Sequence, residues 1–133
     1  MAKFEVTGIA ASDGIAIAPV YLLTEPDLTF ERTTVADAAA EAIRLDKAVE
    51  QATAEITQIR SIAAESLGEE EAQVFDAHLM FLSDPEFTGQ VREKVSNEGL
   101  NAEAALNDVS EMFIQMFSAM EDNAYMQERA ADV

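Results

Sequence analysis

The chain has 133 residues, of which 49% are hydrophobic; that is the size of one domain with one core, and it argues against disorder. Its 8 Lys and Arg stand against 26 Asp and Glu, a net charge of −18. That balance argues against nucleic acid and anionic membrane as partners, which require a basic face, and fits either simple solubility or a basic partner. With no Cys there is no disulfide or thiolate metal site, in keeping with a reducing cytoplasm; no apolar run is long enough to span a membrane, and MAKFEVTG lacks the apolar stretch of a signal peptide.

Residues 5–23, EVTGIAASDGIAIAPVYLL, are short, β-branched and punctuated by glycine. Asp13-Gly14 between two apolar stretches is a hairpin signal, and Pro19 confines the second stretch to an edge or an end. A lone two-stranded ribbon is marginal in water. These strands therefore call for a sheet that the remaining residues do not offer, and the chain is expected to be part of something longer. Residues 25–35 form a polar connection. From Ala36 the pattern is helical: Ala42, Leu45, Val49, Ala52, Ile56, Ile59 and Ala63 share one face by their 3-4 spacing, up to Gly68. Further helices follow, which favours a bundle over a coiled coil.

Gly68 to Phe87, GEEEAQVFDAHLMFLSDPEF, is expected to be the second helix. Glu69, Glu70 and Glu71 suit a helix N-terminus, and Pro85 stops the helix. Apolar residues lie nearly all round it, which implies burial on two sides or one face kept for a partner. Helix resumes from Glu86 to Ser96, with Phe87, Val91 and Val95 on one face. Asn101 is placed to cap a third helix that carries a wide stripe of Ala105, Val109, Met112, Phe113, Met116, Phe117 and Met120. Asn123 is placed to cap a last helix running through Arg129. It stops at Val133 without a C-cap signal and reads as truncated.

Catalytic constellations are mostly missing. The single His78 leaves no histidine pair for zinc, and a di-iron bundle would need Glu-x-x-His twice, whereas position 75 is Phe. No glycine-rich phosphate loop or nucleophile elbow is present. His78 fits a half-buried histidine bonded to a carboxylate or carbonyl, and it also fits a polar contact on a binding face. The Met112–Met116 stripe fits a core face, but it is wider than one face needs, and Met is adaptable at binding surfaces. The carboxylates fit a solvated helix rim.

Four stretches together carry a resemblance. GIAASDGIAIAPVYLL resembles the N-terminal strands of Enzyme I of the bacterial phosphotransferase system, and LGEEEAQVFDAHLMFLSDPEF resembles that family's second helix with its G-E-E, F-x-x-H-x-M and D-x-E-[LF] pattern. NAEAALNDV and YMQERAADV are similar to the start of its third helix and to its fourth. The Met- and Phe-rich third helix and the S-D-G turn are similar to the branch from low-GC Gram-positive bacteria.

The resemblance implies a mainly α fold: a four-helix bundle at 36–133 with its last helix truncated, and a linker at 25–35. Residues 1–24 would be a short β ribbon belonging to an incomplete α/β swivelling subdomain. It implies a docking module that binds the phosphocarrier protein HPr, whose phosphorylated histidine is flanked by basic residues. The implied contacts are Glu69, Glu70, Asp76, Ala77, His78, Met80, Phe81, Asp84, Glu86, Phe87, Met112 and Met116. On α-helical geometry Ala77, Met80 and Phe81 are assigned to the partner side and Phe75, Leu79 and Leu82 to the bundle. The family's phospho-acceptor histidine lies in a GGRTSH-type motif that this sequence lacks, so His78 is not that residue and no catalytic or metal-binding residue is expected here. Phosphoenolpyruvate transferase activity, Mg2+ and homodimer formation are expected of a full-length cytoplasmic parent, through its C-terminal domain. The rival reading is a stand-alone acidic helical scaffold, which would pair or cover its own N-terminal strands.

Overall fold

The longest element is also the most alanine-rich. The computed structural model describes residues 5–133, and in it α1 runs from Ala38 to Ser66, opened by Asp37, whose side chain accepts from the Ala40 N–H at 2.9 Å. The heptad stripe along it rolls. Leu45 is buried, Ala52 is half-buried and Ile59 is 48% exposed, while along the other seam Ala42, Val49 and Ile56 are half-buried and Ala63 is buried. A straight α-helix drifts by about 20° per heptad against a strict seven-residue repeat, which carries one seam outward and the other inward.

Gly68 then turns the chain at φ +124°, ψ 163°, a region essentially closed to residues with a Cβ. Beyond it the expected single helix is two: α2 at Glu69–Ala72 and α3 at Val74–Ser83, separated by a turn at Gln73. Asp84 ends α3 and caps α4 (Pro85–Glu98), accepting from the Glu86 N–H at 2.9 Å with Pro85 at the first helical position. That proline needs no N–H partner there, so it stops one helix and starts the next. Gly99, at φ +64°, closes α4, and α5 runs from Ala102 to Ser118. After it comes α6, Ala124–Arg129, which Asn123 caps by accepting from the Met126 N–H, and a single 3₁₀ turn at Ala130–Asp132.

α1 packs along α2, α3 and α4; α5 packs against α4 on one side and α6 on the other. Val91, Val95 and Val109 are the largest fully buried side chains. Four phenylalanines close a ring around the other end of this core. Phe81 meets Phe87 at 5.8 Å, Phe87 meets Phe113 at 5.3 Å, Phe113 meets Phe117 at 5.8 Å, and Phe117 returns to Phe81 at 6.2 Å. Three of these contacts are edge-on, the geometry that aligns ring edges with ring faces, worth about 0.5–1.5 kcal/mol per pair beyond area burial.

The N-terminal ribbon does not form. Residues 1–4 of that expectation lie outside the described residues; from 5 to 23 there is a bend at Asp13-Gly14 but no strand. Ile9, Ile15 and Ile17 are each at least 97% exposed. Among the described residues no sheet stands beside them, and a two-stranded ribbon alone is marginally stable in water. Closer to the bundle the linker is anchored. Val35 N–H donates to Gly99 C=O at 2.7 Å and Asn101 N–H to Thr33 C=O at 3.0 Å, flanking an isolated antiparallel bridge between Thr34 and Leu100.

Asn101 does not cap its own helix with its side chain. Its Oδ1 accepts from Thr33 N–H at 3.0 Å, and its Nδ2 donates to Glu31 C=O and to Glu103 Oε2, each at 3.1 Å. The orphan N–H of Ala102 goes to Glu41 of α1 at 2.7 Å. Arg44 bridges Glu41 and Glu103, at 2.6 and 2.7 Å, and so ties α1 to the start of α5. The Arg44 guanidinium holds the Glu103 carboxyl down to about 2.

Asn101→Ala removes the part-buried hydrogen bonds to Thr33 N–H and Glu31 C=O, each worth about 0.5–1.5 kcal/mol net, so urea unfolding should show a loss of about 1–3 kcal/mol. A second outcome concerns pH. A carboxylate whose folded pKa is depressed stabilises above its unfolded value and loses that contribution as the pH falls toward the folded one. The stability gap between the parent chain and Glu103→Gln should therefore be full above the ordinary glutamate pKa of 4.5, shrink between that and about 2, and vanish below. Urea unfolding across that range measures it.

Candidate functional site

The candidate face is built on α3, a helix with no fully buried residue. Its sequence is too apolar to be a solvent helix, yet only one side of it meets the bundle. Met80 is 67% exposed at the middle of the outer side. Phe81, the next residue, turns inward to the aromatic ring. The same pairing occurs on α5, where Met116 is 44% exposed and Phe117 is buried, and one turn earlier where Met112 is 43% exposed and Phe113 is buried. Because Phe81 and Phe117 touch, the methionine-bearing flanks of α3 and α5 each lie one residue from the same supporting ring.

Two of the residues assigned to a partner take different places. Phe87 is 6% exposed and sits in the core between Phe81 and Phe113. Phe81 is half-buried against the core, not turned outward. Within α3 Phe81 meets Phe87 and Phe117 while Met80, one residue earlier, faces solvent, and Phe87 shares the buried face of α4 with Val91 and Val95. Phe75, Leu79 and Leu82, assigned to the bundle, are half-buried. Ala77 and His78 are half-buried as well. The His78 ring lies edge-on to Phe75 at 6.3 Å, and among the described residues it has no carboxylate or carbonyl hydrogen-bond partner.

The carboxylates divide into two sets. Glu69 and Asp76 pair with Arg60 of α1, at 2.5 and 2.6 Å. Hydrogen bonding to that guanidinium holds the Asp76 carboxyl below the usual carboxylate range. Asp84 is occupied as the cap of α4. Glu70 and Glu86 are exposed and make no ion pair among the described residues, so their charge is offered to solvent. Arg60 was not distinguished in the sequence, where it is one polar residue on the outer run of a long helix; only its i+9 and i+16 partners across the turn at Gly68 give it a role.

Among the described residues no group of three or more His, Asp or Glu side chains could hold a metal ion, and no helix is long and apolar enough to cross a membrane. What the face offers chemically is a set of exposed, adaptable methionine thioethers on α3 and α5, with Glu70 and Glu86 unpaired among the described residues.

Comparison with known proteins agrees with this architecture. A family model described as PEP-utilising enzyme, N-terminal, matches residues 7–129. The phosphoenolpyruvate-protein phosphotransferase of Enterococcus faecalis is 61% identical over 126 residues, 95% of this chain and 22% of that protein. The protein of the same name from Listeria monocytogenes is 55% identical over 133 residues, 100% of this chain and 23% of that protein. The chain thus spans less than a quarter of the length of these relatives. An NMR solution structure of Enzyme I (nEIt) superposes with a TM-score of 0.75 at 31% identity, covering 82% of this chain and 44% of that one. The N-terminal domain of Enzyme 1 - Nitrogen superposes with a TM-score of 0.70 at 33% identity, covering 82% and 45%. With the family model reaching from residue 7 to residue 129 and both structures sharing its helical architecture, the chain belongs to the family of PEP-utilising enzyme N-terminal regions, on the Enzyme I branch.

Proposed function

We propose that this chain is the docking module through which a phosphoenolpyruvate-protein phosphotransferase meets the phosphocarrier protein HPr. The observation that carries the reading is the exposed methionine set, Met80, Met112 and Met116, standing on a ring of buried phenylalanines. A rigid floor under flexible thioethers lets a surface fit a partner without losing the bundle's packing. Glu70 and Glu86 at the rim, and a net charge of −18, favour a partner with a basic face and speed its encounter. Ala77 and His78 sit half-buried within the same helix and complete the contact surface, with Phe81 and Phe87 acting from beneath.

The division proposed is a bundle from 36 to 133, a linker at 25–35 and an N-terminal segment at 1–24 that belongs to an α/β part. The start of α1 at Ala38 and the anchored strand-like stretch at Thr33–Val35 support it. The exposed isoleucines of residues 9–17 speak against a self-contained scaffold, which would cover them. Handling of phosphoenolpyruvate and Mg2+, homodimer formation and a cytoplasmic setting are proposed for the longer protein, in regions its relatives have and this chain does not match.

Titration with HPr at low and high salt tests the docking. Binding should appear in low salt and weaken as salt rises. Met80→Asp should weaken it well beyond tenfold, since a buried carboxylate would replace a central apolar contact. Glu70→Gln should instead slow association and flatten the salt dependence. Absence of binding at every salt concentration would refute the reading. Incubation with labelled phosphoenolpyruvate should leave this chain unlabelled, because no residue here is placed as the phospho-acceptor; a stable label on His78 would reverse that assignment.

A further inference from the structure

The second helical segment is broken at Gln73, and the break lies between two carboxylates of the candidate face. Glu69 stands before it and Asp76 after it. One guanidinium on α1 reaches both. Arg60 Nε donates to Asp76 Oδ1 at 2.6 Å, and Nη2 donates to Glu69 Oε1 at 2.5 Å and to Asp76 Oδ2 at 3.2 Å. The cation is the shielded member of the cluster: its side chain is 26% exposed, against 66% for Glu69 and 49% for Asp76. A planar fork with two acceptors on one side and a third beside them fixes direction as well as distance, which an ammonium does not.

The break needs such a fixture. α2 is only four residues long, far too short to hold its own conformation, and Ala72 is its single buried residue. α3 contributes no fully buried side chain. Both pieces pack along α1, but apart from Phe81 in the aromatic ring they place no large side chain against the buried core cluster. Besides packing on α1, the Arg60 cluster is the polar link that joins both pieces to the long helix.

We infer that Arg60 is the positioning residue of the docking face, fixing the break between α2 and α3 against α1 through Glu69 and Asp76 so that Met80 is presented to the partner. The inference rests on the docking reading for its functional half, and on the ion-pair geometry alone for its structural half. It leads to an unusual sign. Removing a cation from an acidic face strengthens the attraction for a basic partner if charge alone matters. If Arg60 acts by positioning, the same removal weakens binding.

The experiment uses the full chain with Arg60→Met and Arg60→Lys. In the free chain, amide exchange across residues 69–80 should accelerate at least tenfold in Arg60→Met, while Val95 and Val109 keep their protection, and the Asp76 carboxyl should return to the ordinary aspartate range by NMR titration. Affinity for HPr should fall about tenfold at both low and high salt, with Arg60→Lys recovering part of it. Equal or tighter binding by Arg60→Met would overturn the functional half. Unchanged exchange across 69–80, or loss of protection at Val95 and Val109 as well, would overturn the local anchoring. Asp76→Asn supplies an independent second variant, expected to accelerate the same amides with the core intact. Failure of the unsubstituted chain to bind HPr at any salt would refute the docking reading and with it the functional half, while the exchange and titration results would still decide the structural half.

Discussion

The closed ring of Phe81, Phe87, Phe113 and Phe117 is the contact on which the rest of the bundle depends. It joins three helices that the sequence separates by two breaks, with three of its four contacts edge to face. Everything outward of it follows from helical phase. A residue one step from a buried phenylalanine is turned about 100° around the helix axis, so Met80, Met112 and Met116 emerge at the surface because their neighbours go inward. The core thereby places the candidate face, and a change to the ring would move the methionines without touching them.

Polar links then set what the ring leaves undecided. At one end of the molecule Asn101 gathers Glu31, Thr33 and Glu103, while Glu41 reaches across from α1 to satisfy the first N–H of α5. At the other end Arg60 holds both sides of the α2–α3 break. The two clusters share a design. In each, a residue of the long helix α1 supplies the charge that orders the start of another element. With 26 acidic residues and 8 basic ones, each arginine used this way also lowers repulsion among carboxylates that would otherwise crowd.

The candidate face has charge of two kinds. Glu69 and Asp76 are paired internally with Arg60, while Glu70 and Glu86 make no ion pair among the described residues. The exposed isoleucines of residues 9–17 are a separate matter, an apolar segment with no sheet beside it. The relatives from Enterococcus faecalis and Listeria monocytogenes are more than four times longer than the part that aligns with this chain.

Much of the fold was legible from residue order. Alanine-rich heptads marked α1, Pro85 marked a stop, Asn123 marked a helix start, and the wide Phe and Met stripe on α5 marked a helix with more than one apolar face. These are local properties: backbone preference, capping chemistry and a 3.6-residue period act over a few residues. What local rules could not decide was phase and partnership. Phe81 turned inward, Phe87 entered the core, Asn101 turned from its own helix to the linker, and Arg60 found partners nine and sixteen residues away. Each of those depends on where a second element lies in space, and only the tertiary packing specifies that.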